Sequence, residues 1–247
     1  MSGINWEAED AKYIWHPAMQ MKDNEVFPPV VIDHAKGCYL YDTHGKAYLD
    51  IISSWWCNLL GHANPEINAA LKQQVDELEH VIFTNFTHKP AIELARRLSE
   101  LLPAGLTKFT FHDNGSSAVE AALKMAFQYQ YQTGHPERTR FMCLPESYHG
   151  ETIGALSVGS MDLYAKIFHP MLMNNIHFKG LDCYRCPYGK TRETCGVECF
   201  EDVEAAFKKH GKETVACIVE PILQACVSIR RSISESFESS AMSTACS

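Results

Sequence analysis

Three stretches of the chain carry residues whose types and spacing could do chemistry. At Phe111-His-Asp-Asn-Gly-Ser-Ser-Ala118 a short apolar run passes through a Gly-Ser turn into a helical pattern. The first turn of a helix leaves backbone N–H groups without intrahelical acceptors, and the helix dipole adds partial positive charge there. Such a junction suits a phosphate, with Gly115 admitting a close backbone approach and the Ser116 hydroxyl adding a donor. The same residues also read as an ordinary helix cap, so the junction alone is a weak signal. The second stretch, Glu146-Ser-Tyr-His-Gly-Glu-Thr152, follows a predicted strand. Open α/β sheets gather their sites at the C-terminal ends of strands. Tyr148 and His149 could face a flat ring there, or could belong to a surface loop with a packed tyrosine. The third is Ser53-Ser-Trp-Trp-Cys-Asn58. Adjacent tryptophans cannot share one strand face, so one of Trp55 and Trp56 lines a pocket or interface unless it packs in a core.

A fourth pattern joins Cys183-Tyr-Arg-Cys186 to Cys195-Gly-Val-Glu-Cys199 as C-x2-C-x8-C-x3-C. Four thiolates so spaced are compatible with zinc or an iron–sulfur centre, and equally with reduced thiols. The chain has ten cysteines and opens at Met1–Asp10 without a basic segment followed by an apolar one. That beginning predicts no signal peptide and a cytoplasmic location. Reduced thiols are therefore expected, with Cys38, Cys57, Cys143 and Cys217 buried.

The elements that must position these residues are legible in the spacing. Cys38–Tyr41 and Ala47–Ile51 flank the turn Asp42-Thr-His-Gly45 and predict a hairpin. Asn64-Pro65 opens a helix whose Ile67, Leu71, Val75 and Leu78 share one face, and a second helix runs from Pro90 to Pro103. Beyond it the pattern becomes strand and helix in alternation. Strands are predicted at Lys108–Asp113, Arg140–Leu144 and Val215–Val219, and helices at Ala118–Gln132 and Cys199–His210. Trp15–Asp23 reads as an extended arm. This alternation predicts an α/β fold, a mostly parallel sheet covered by helices on both faces. With 247 residues, 46% of them hydrophobic, the chain can bury a real core. A net charge of −8 argues against nucleic acid and anionic membrane as partners. No apolar run reaches the roughly 18 residues of a membrane span.

Taken in order, Ile14-Trp-His-Pro17, Gln20-Met-Lys-Asp23, Ser53-Ser-Trp-Trp56, Asp113-Asn-Gly-Ser-Ser117 with Ala118–Ala126, Tyr148-His-Gly150 and Val219-Glu-Pro221 resemble the class III pyridoxal-phosphate aminotransferases. The likeness runs from Ile14 to Cys226. The tryptophan pair and the His-Pro arm narrow it to the branch serving biotin synthesis. The resemblance implies the fold-type I architecture, with residues 1–65 as arm and part of a small domain and 66–226 as a partial cofactor-binding large domain. It also implies pyridoxal 5'-phosphate held by Gly115, Ser116, Tyr148, His149 and Glu220. Trp55 and Tyr148 would border the substrate, and Glu220 would lie near the partner of the ring nitrogen. The implied reaction moves the amino group of S-adenosylmethionine to 8-amino-7-oxononanoate, giving 7,8-diaminononanoate in a homodimeric enzyme. Ala18 departs from the family, which often places an aromatic residue after His-Pro. That keeps open another class III enzyme acting on ω-amino acids or diamines. Related aminotransferases carry similar cysteines with no assigned metal, so Cys183, Cys186, Cys195 and Cys199 are not expected to hold one. A non-catalytic fragment built around such a metal is the remaining alternative.

The resemblance also puts the lysine that attaches the cofactor as a Schiff base, and the aspartate that protonates its ring nitrogen, beyond Val219-Glu-Pro221. The 26 residues after Pro221 contain neither lysine nor aspartate, so the 247-residue chain is expected to be inactive by itself. Residues 227–247, eight of them serine, show no helical or strand period and read as an aberrant, disordered tail. A shifted reading frame would account for such a tail, and the nucleotide sequence tests that reading.

Overall fold

The computed structural model describes residues 3–178, 181–191 and 193–221, and the expectations for 227–247 lie outside them. The chain divides into two compact units, one ending at Thr107 and the other beginning at Lys108.

The first unit is built by local signals. Helix α1 (Trp6–Tyr13) is capped by Asn5, whose side chain accepts from the Ala8 N–H at 3.0 Å. The stretch expected to be an extended arm contains a 3-10 turn at Met21–Glu25. Strands β1 (Ile32–Lys36), β2 (Tyr39–Asp42) and β3 (Ala47–Leu49) form an antiparallel meander in that order. The predicted hairpin is therefore present, with an additional strand before it. Buried Asp42 closes its turn: its carboxylate accepts from the His44 and Lys46 N–H groups at 2.9 and 2.8 Å and from the Tyr48 hydroxyl at 3.0 Å. After the single turn α2 (Ser53–Trp56) come α3 (Pro65–Glu77), capped by Asn64, and α4 (Lys89–Leu101), capped by His88. Neither α3 nor α4 buries a side chain.

The second unit has the core. Helix α5 (Gly115–Gln132) starts three residues before the expected Ala118, because Asn114 caps it by accepting from the Ser117 N–H at 2.9 Å. Then follow β4 (Arg140–Cys143), α6 (Ile153–Val158), α7 (Asp162–Ala165), β5 (Ile176–His177), α8 (Cys199–His210) and β6 (Thr214–Ile218). The sheet is parallel in the order β5-β4-β6, with Cys143 opposite both His177 and Ile218. Alternation along β4 divides its side chains between two faces. Met142 and Leu144 join Ile176, Phe200 and Val203, whereas Phe141 and Cys143 join Leu123 of α5, Val158 and Val215. The expected parallel sheet with helices on both faces is what forms.

Three expectations fail outright, for the strand at Lys108–Asp113 and for burial of Cys38 and Cys57, and a fourth, for Cys217, holds only in part. Lys108–Asp113 is not a strand: it belongs to neither sheet among the described residues and lies largely exposed, with Phe111 at 47%. A strand exists only through its neighbour's hydrogen bonds, and apolar alternation cannot supply one. Cys38 and Cys57, expected inside, are exposed, and among the described residues the first unit shows no core to receive them. Cys143 is buried as expected, while Cys217 is only partly so. Among the described residues no helix is long and apolar enough to cross a membrane.

Candidate active site

The parallel sheet sends two loops out of the C-terminal ends of adjacent strands. One follows β4 and carries Tyr148 and His149; the other follows β6 and carries Glu220. They meet directly, the Tyr148 N–H donating to Glu220 Oε2 at 3.0 Å. Strand register explains the meeting, since Cys143 and Ile218 are paired at the ends of the two strands. The Tyr148 loop is pinned from behind by buried Ser147, whose hydroxyl donates to the Leu144 carbonyl at 2.7 Å and whose own carbonyl accepts from the Ser160 N–H at 3.2 Å.

The third component is the start of α5. Asn114 satisfies the Ser117 amide, and no protein acceptor faces the Gly115 and Ser116 amides among the described residues. A Cβ added at Gly115 would meet no atom within 4 Å. The cradle is thus open at the positive end of an 18-residue helix. Ser116 Oγ accepts from the Glu151 N–H at 3.3 Å, which leaves the hydroxyl proton available as a third donor. The same bond brings the Tyr148–Glu151 loop onto α5. Contact there is so close that a Cβ at Gly150 would lie 2.2 Å from Ser116 Oγ. Gly150 has φ +127°, a conformation L side chains avoid.

Gly115, Ser116, Tyr148, His149 and Glu220 are therefore gathered at one end of the sheet. The Tyr148 ring lies 5.6 Å from that of Tyr164, and its hydroxyl donates to Glu151 at 3.1 Å. Burial and the Glu151 carboxylate together hold the phenol above its usual range. Burial keeps His149 below the ordinary imidazole value, and its Nε2 is buried with no hydrogen-bond partner among the described residues. Burial raises the Glu220 carboxyl, against the opposing pull of the Tyr148 N–H. The arrangement offers three donors for a dianion, an aromatic face and a neutral imidazole.

Trp55 belongs to the unit ending at Thr107 and is 69% exposed. It sits in a left-handed turn: Ser53, Ser54, Trp55 and Trp56 have φ of 50°, 48°, 59° and 67°. Left-handed helix costs L residues roughly 1–2 kcal/mol each, so the turn must be held by other bonds. Asp50 supplies them, accepting from the Ser54 N–H at 3.0 Å, the Ser54 hydroxyl at 2.8 Å and His62 Nε2 at 2.8 Å. These bonds, that from the Ser54 N–H first, bring the Asp50 carboxyl down to about 2. Ala18 is also left-handed, with φ 56°.

Cys183, Cys186, Cys195 and Cys199 are reduced cysteines. Burial, with the neighbouring Cys195, Cys183 and Cys186, pushes the Cys199 thiol up to about 11. A thiol so shifted is a poor nucleophile. Among the described residues no group of three or more His, Cys, Asp or Glu gathers to hold a metal ion.

The site also contains residues that sequence reading did not single out, chiefly Glu120 and Glu151. The signal for Glu120 was available in its spacing, one turn beyond Ser116 on the same helix face.

The family described as Aminotransferase class-III matches residues 19–229. The adenosylmethionine-8-amino-7-oxononanoate aminotransferase of Geobacter sulfurreducens is 44% identical over 216 residues, covering 87% of this chain and 48% of the relative. The enzyme of that name from Methanocaldococcus jannaschii is 39% identical over 221 residues, covering 87% and 48%. The chain thus spans about half the length of the curated relatives it matches. A crystal structure of the Methanocaldococcus jannaschii enzyme superposes with TM-score 0.86 at 34% identity, over 97% of this chain and 52% of the other. An omega transaminase from Pseudomonas jessenii, solved in complex with PMP, gives 0.88 at 25% identity over 98% and 54%. On this evidence the chain belongs to the class III aminotransferases.

Proposed function

We propose that this chain supplies the cofactor-binding part of an aminotransferase site that uses pyridoxal 5'-phosphate. The carrying observation is the meeting of the open α5 N-terminus with the Tyr148–His149 loop at the ends of β4 and β6. In this reading the Gly115 and Ser116 amides and the Ser116 hydroxyl receive the phosphate. Tyr148 lies against the pyridine ring and His149 beside it, with its buried Nε2 available to a polar group of the ligand. Glu220 holds the Tyr148 backbone and lies toward the ring nitrogen's partner. The donor count fits a dianion and the orphaned imidazole nitrogen fits a polar ligand, so the residues suit the group. When bound, the cofactor supplies the carbonyl that takes up an amino group and the ring that withdraws electrons. The chain's own part is to anchor, orient and desolvate.

For the whole protein we propose S-adenosylmethionine as amino donor and 8-amino-7-oxononanoate as acceptor, in biotin synthesis, with Trp55 walling the substrate pocket in a cytoplasmic homodimer. The names of the Geobacter and Methanocaldococcus relatives support this choice. A second reading, amino transfer from ω-amino acids or diamines, is favoured by Ala18 and by the likeness to the Pseudomonas jessenii enzyme.

Titration with pyridoxamine 5'-phosphate tests the site, because this amine cannot form imines with surface lysines. Saturable binding is expected, weakened about tenfold by Ser116→Ala through loss of one charge-assisted hydrogen bond. Absence of binding by the unaltered chain overturns the reading. Binding of 8-amino-7-oxononanoate, but not of an ω-keto acid, to the loaded chain separates the two substrate classes.

A further inference from the structure

The two halves of the candidate site lie on different segments: the phosphate cradle on α5 and the ring-facing residues on the loop after β4. Something must set the distance between them, and the structure shows a two-point fastening. Ser116 and Glu120 are four residues apart on one face of α5. Opposite them run residues 150–155, with Gly150 and Gly154 also four apart. A Cβ at Gly150 would lie 2.2 Å from Ser116 Oγ, and one at Gly154 would lie 2.2 Å from Glu120 Oε2. Both contacts are thus as close as glycine permits. At the first point Ser116 accepts from the Glu151 N–H. At the second, one oxygen of Glu120 accepts three bonds: from the Thr152 hydroxyl at 2.6 Å and from the Gly154 and Ala155 N–H groups at 2.8 and 3.1 Å.

Helix α6 has no side-chain cap of its own, and Thr152 at its N-cap position spends its hydroxyl on Glu120. The carboxylate of one helix therefore caps the next, where its charge also complements the α6 dipole. Glu151, in the fastened segment, accepts the Tyr148 hydroxyl at 3.1 Å. The chain of contacts runs from Glu120 through residues 151–155 to the Tyr148 ring, while Ser116 is fixed from the same helix.

We propose that Glu120 is a positioning residue of the cofactor site: by fastening the Tyr148 loop to α5 it fixes the span between the phosphate cradle and the ring-facing tyrosine. The proposal rests on the cofactor reading above. Its consequence is selective. Removing the fastening leaves the α5 N-terminus intact, so phosphate recognition survives, but the ring loses a preorganised partner. A residue that merely held up the fold would weaken both.

The test uses the full 247-residue chain with three probes: pyridoxamine 5'-phosphate, inorganic phosphate, and pyridoxamine, which lacks the phosphate. Glu120→Ala is expected to weaken pyridoxamine 5'-phosphate about tenfold and pyridoxamine by a similar factor, while inorganic phosphate stays within about twofold. Glu120→Gln, whose carbonyl oxygen can still accept from the two amides, is expected to recover most of the loss. Thr152→Val removes one bond of three and serves if Glu120→Ala does not fold; a smaller loss confined to the two ring-bearing probes is expected. The proposal is overturned if affinity for the ring-bearing probes is unchanged, if phosphate affinity falls in parallel with theirs, or if Glu120→Gln is as weak as Glu120→Ala. If the unaltered chain binds none of the probes, the cofactor reading itself fails. That result is distinct from a wild type that binds and a variant that binds equally well.

Discussion

The two units of this chain solve the folding problem differently. From Lys108 onward, Met142, Cys143, Val158 and Val203 are fully buried around a three-stranded parallel sheet. Among the described residues up to Thr107 only Asp42, a turn-former, is buried, while Ile67, Leu71, Val75 and Ile92 are exposed along helices that nevertheless form. Helices can be specified by caps and propensity, but most helical stability in proteins comes from burying an apolar face. The second unit contains its stabilising partners within itself. The first displays the apolar stripes without such partners among the described residues.

Substitution of core residues probes this contrast most strongly. Met142→Ala removes a side chain with no exposure and is expected to cost about 2–5 kcal/mol. Leu71→Ala, at 60% exposure, is expected to change stability by less than about 0.5 kcal/mol. Urea unfolding of both variants checks the pair. Comparable losses would mean that α3 is buried in the molecule that unfolds, and the contrast between units would be broken.

Gly150→Ala sharpens the contrast at the site. The substitution forces a Cβ against Ser116 Oγ at a backbone φ of +127°, with an expected cost of about 1–3 kcal/mol. Pyridoxamine 5'-phosphate binding should fall further than with Ser116→Ala, because both the hydroxyl and the loop are displaced. The equivalent change at Gly45 of the first unit also meets a positive φ, +82°, but no neighbouring atom. It should affect stability alone, and calorimetry with a binding titration separates the two.

The contrast also explains which parts of the molecule were legible in the sequence. Local signals were read well: Asn64-Pro65 opens α3, Asp42-Thr-His-Gly45 turns the hairpin, and β-branched Val215 lies in β6. Gly115, Ser116 and Tyr148 drew attention through a Gly-Ser turn that opens a helix and a loop that follows a strand, and the family resemblance joined them. What escaped was non-local. Lys108–Asp113 has the composition of a strand but belongs to neither sheet among the described residues, and composition does not reveal ladder pairing. The helical spacing could place Glu120 one turn beyond Ser116, but not its role, because its three donors arrive from residues more than thirty positions away. The left-handed turn at Ser53–Trp56 was also hidden, since its hold comes from Asp50 and, twelve residues further on, His62.

In the first unit, where tertiary burial contributes least, capping should matter most. Asn64 accepts from the Glu66 and Ile67 N–H groups at 3.0 and 3.2 Å. Asn64→Ala is expected to cost about 1 kcal/mol, seen as faster hydrogen exchange across α3. The same change at Asn114 should be partly hidden, because α5 is also anchored by Leu123 in the core. Equal exchange effects in the two helices would remove the distinction.

The smallest expected effect is in pH dependence, and here the units should separate by window rather than by size. Asp50 has its folded carboxyl at about 2, against 3.8 ordinarily, from the Ser54 N–H, the His62 ring and the Ser54 hydroxyl. A depressed carboxyl stabilises the fold above its unfolded value, and that contribution is lost as pH falls from about 4 through about 2. His149 moves the other way in charge: burial lowers its value below 6.5, so the unfolded chain takes up a proton more readily. Stability of the second unit should therefore begin to decline as pH drops below 6.5, well before the first unit responds. Glu220, raised by burial, opposes this, since its contribution is lost as pH rises above 4.5. Following the Ser54 amide and the His149 ring by NMR across pH 2 to 7 resolves the windows. Asp50→Asn should abolish the low-pH shift at Ser54 and leave the His149 titration where it was. If the Ser54 amide instead follows His149, the two units are coupled through protonation and the comparison between them loses its basis.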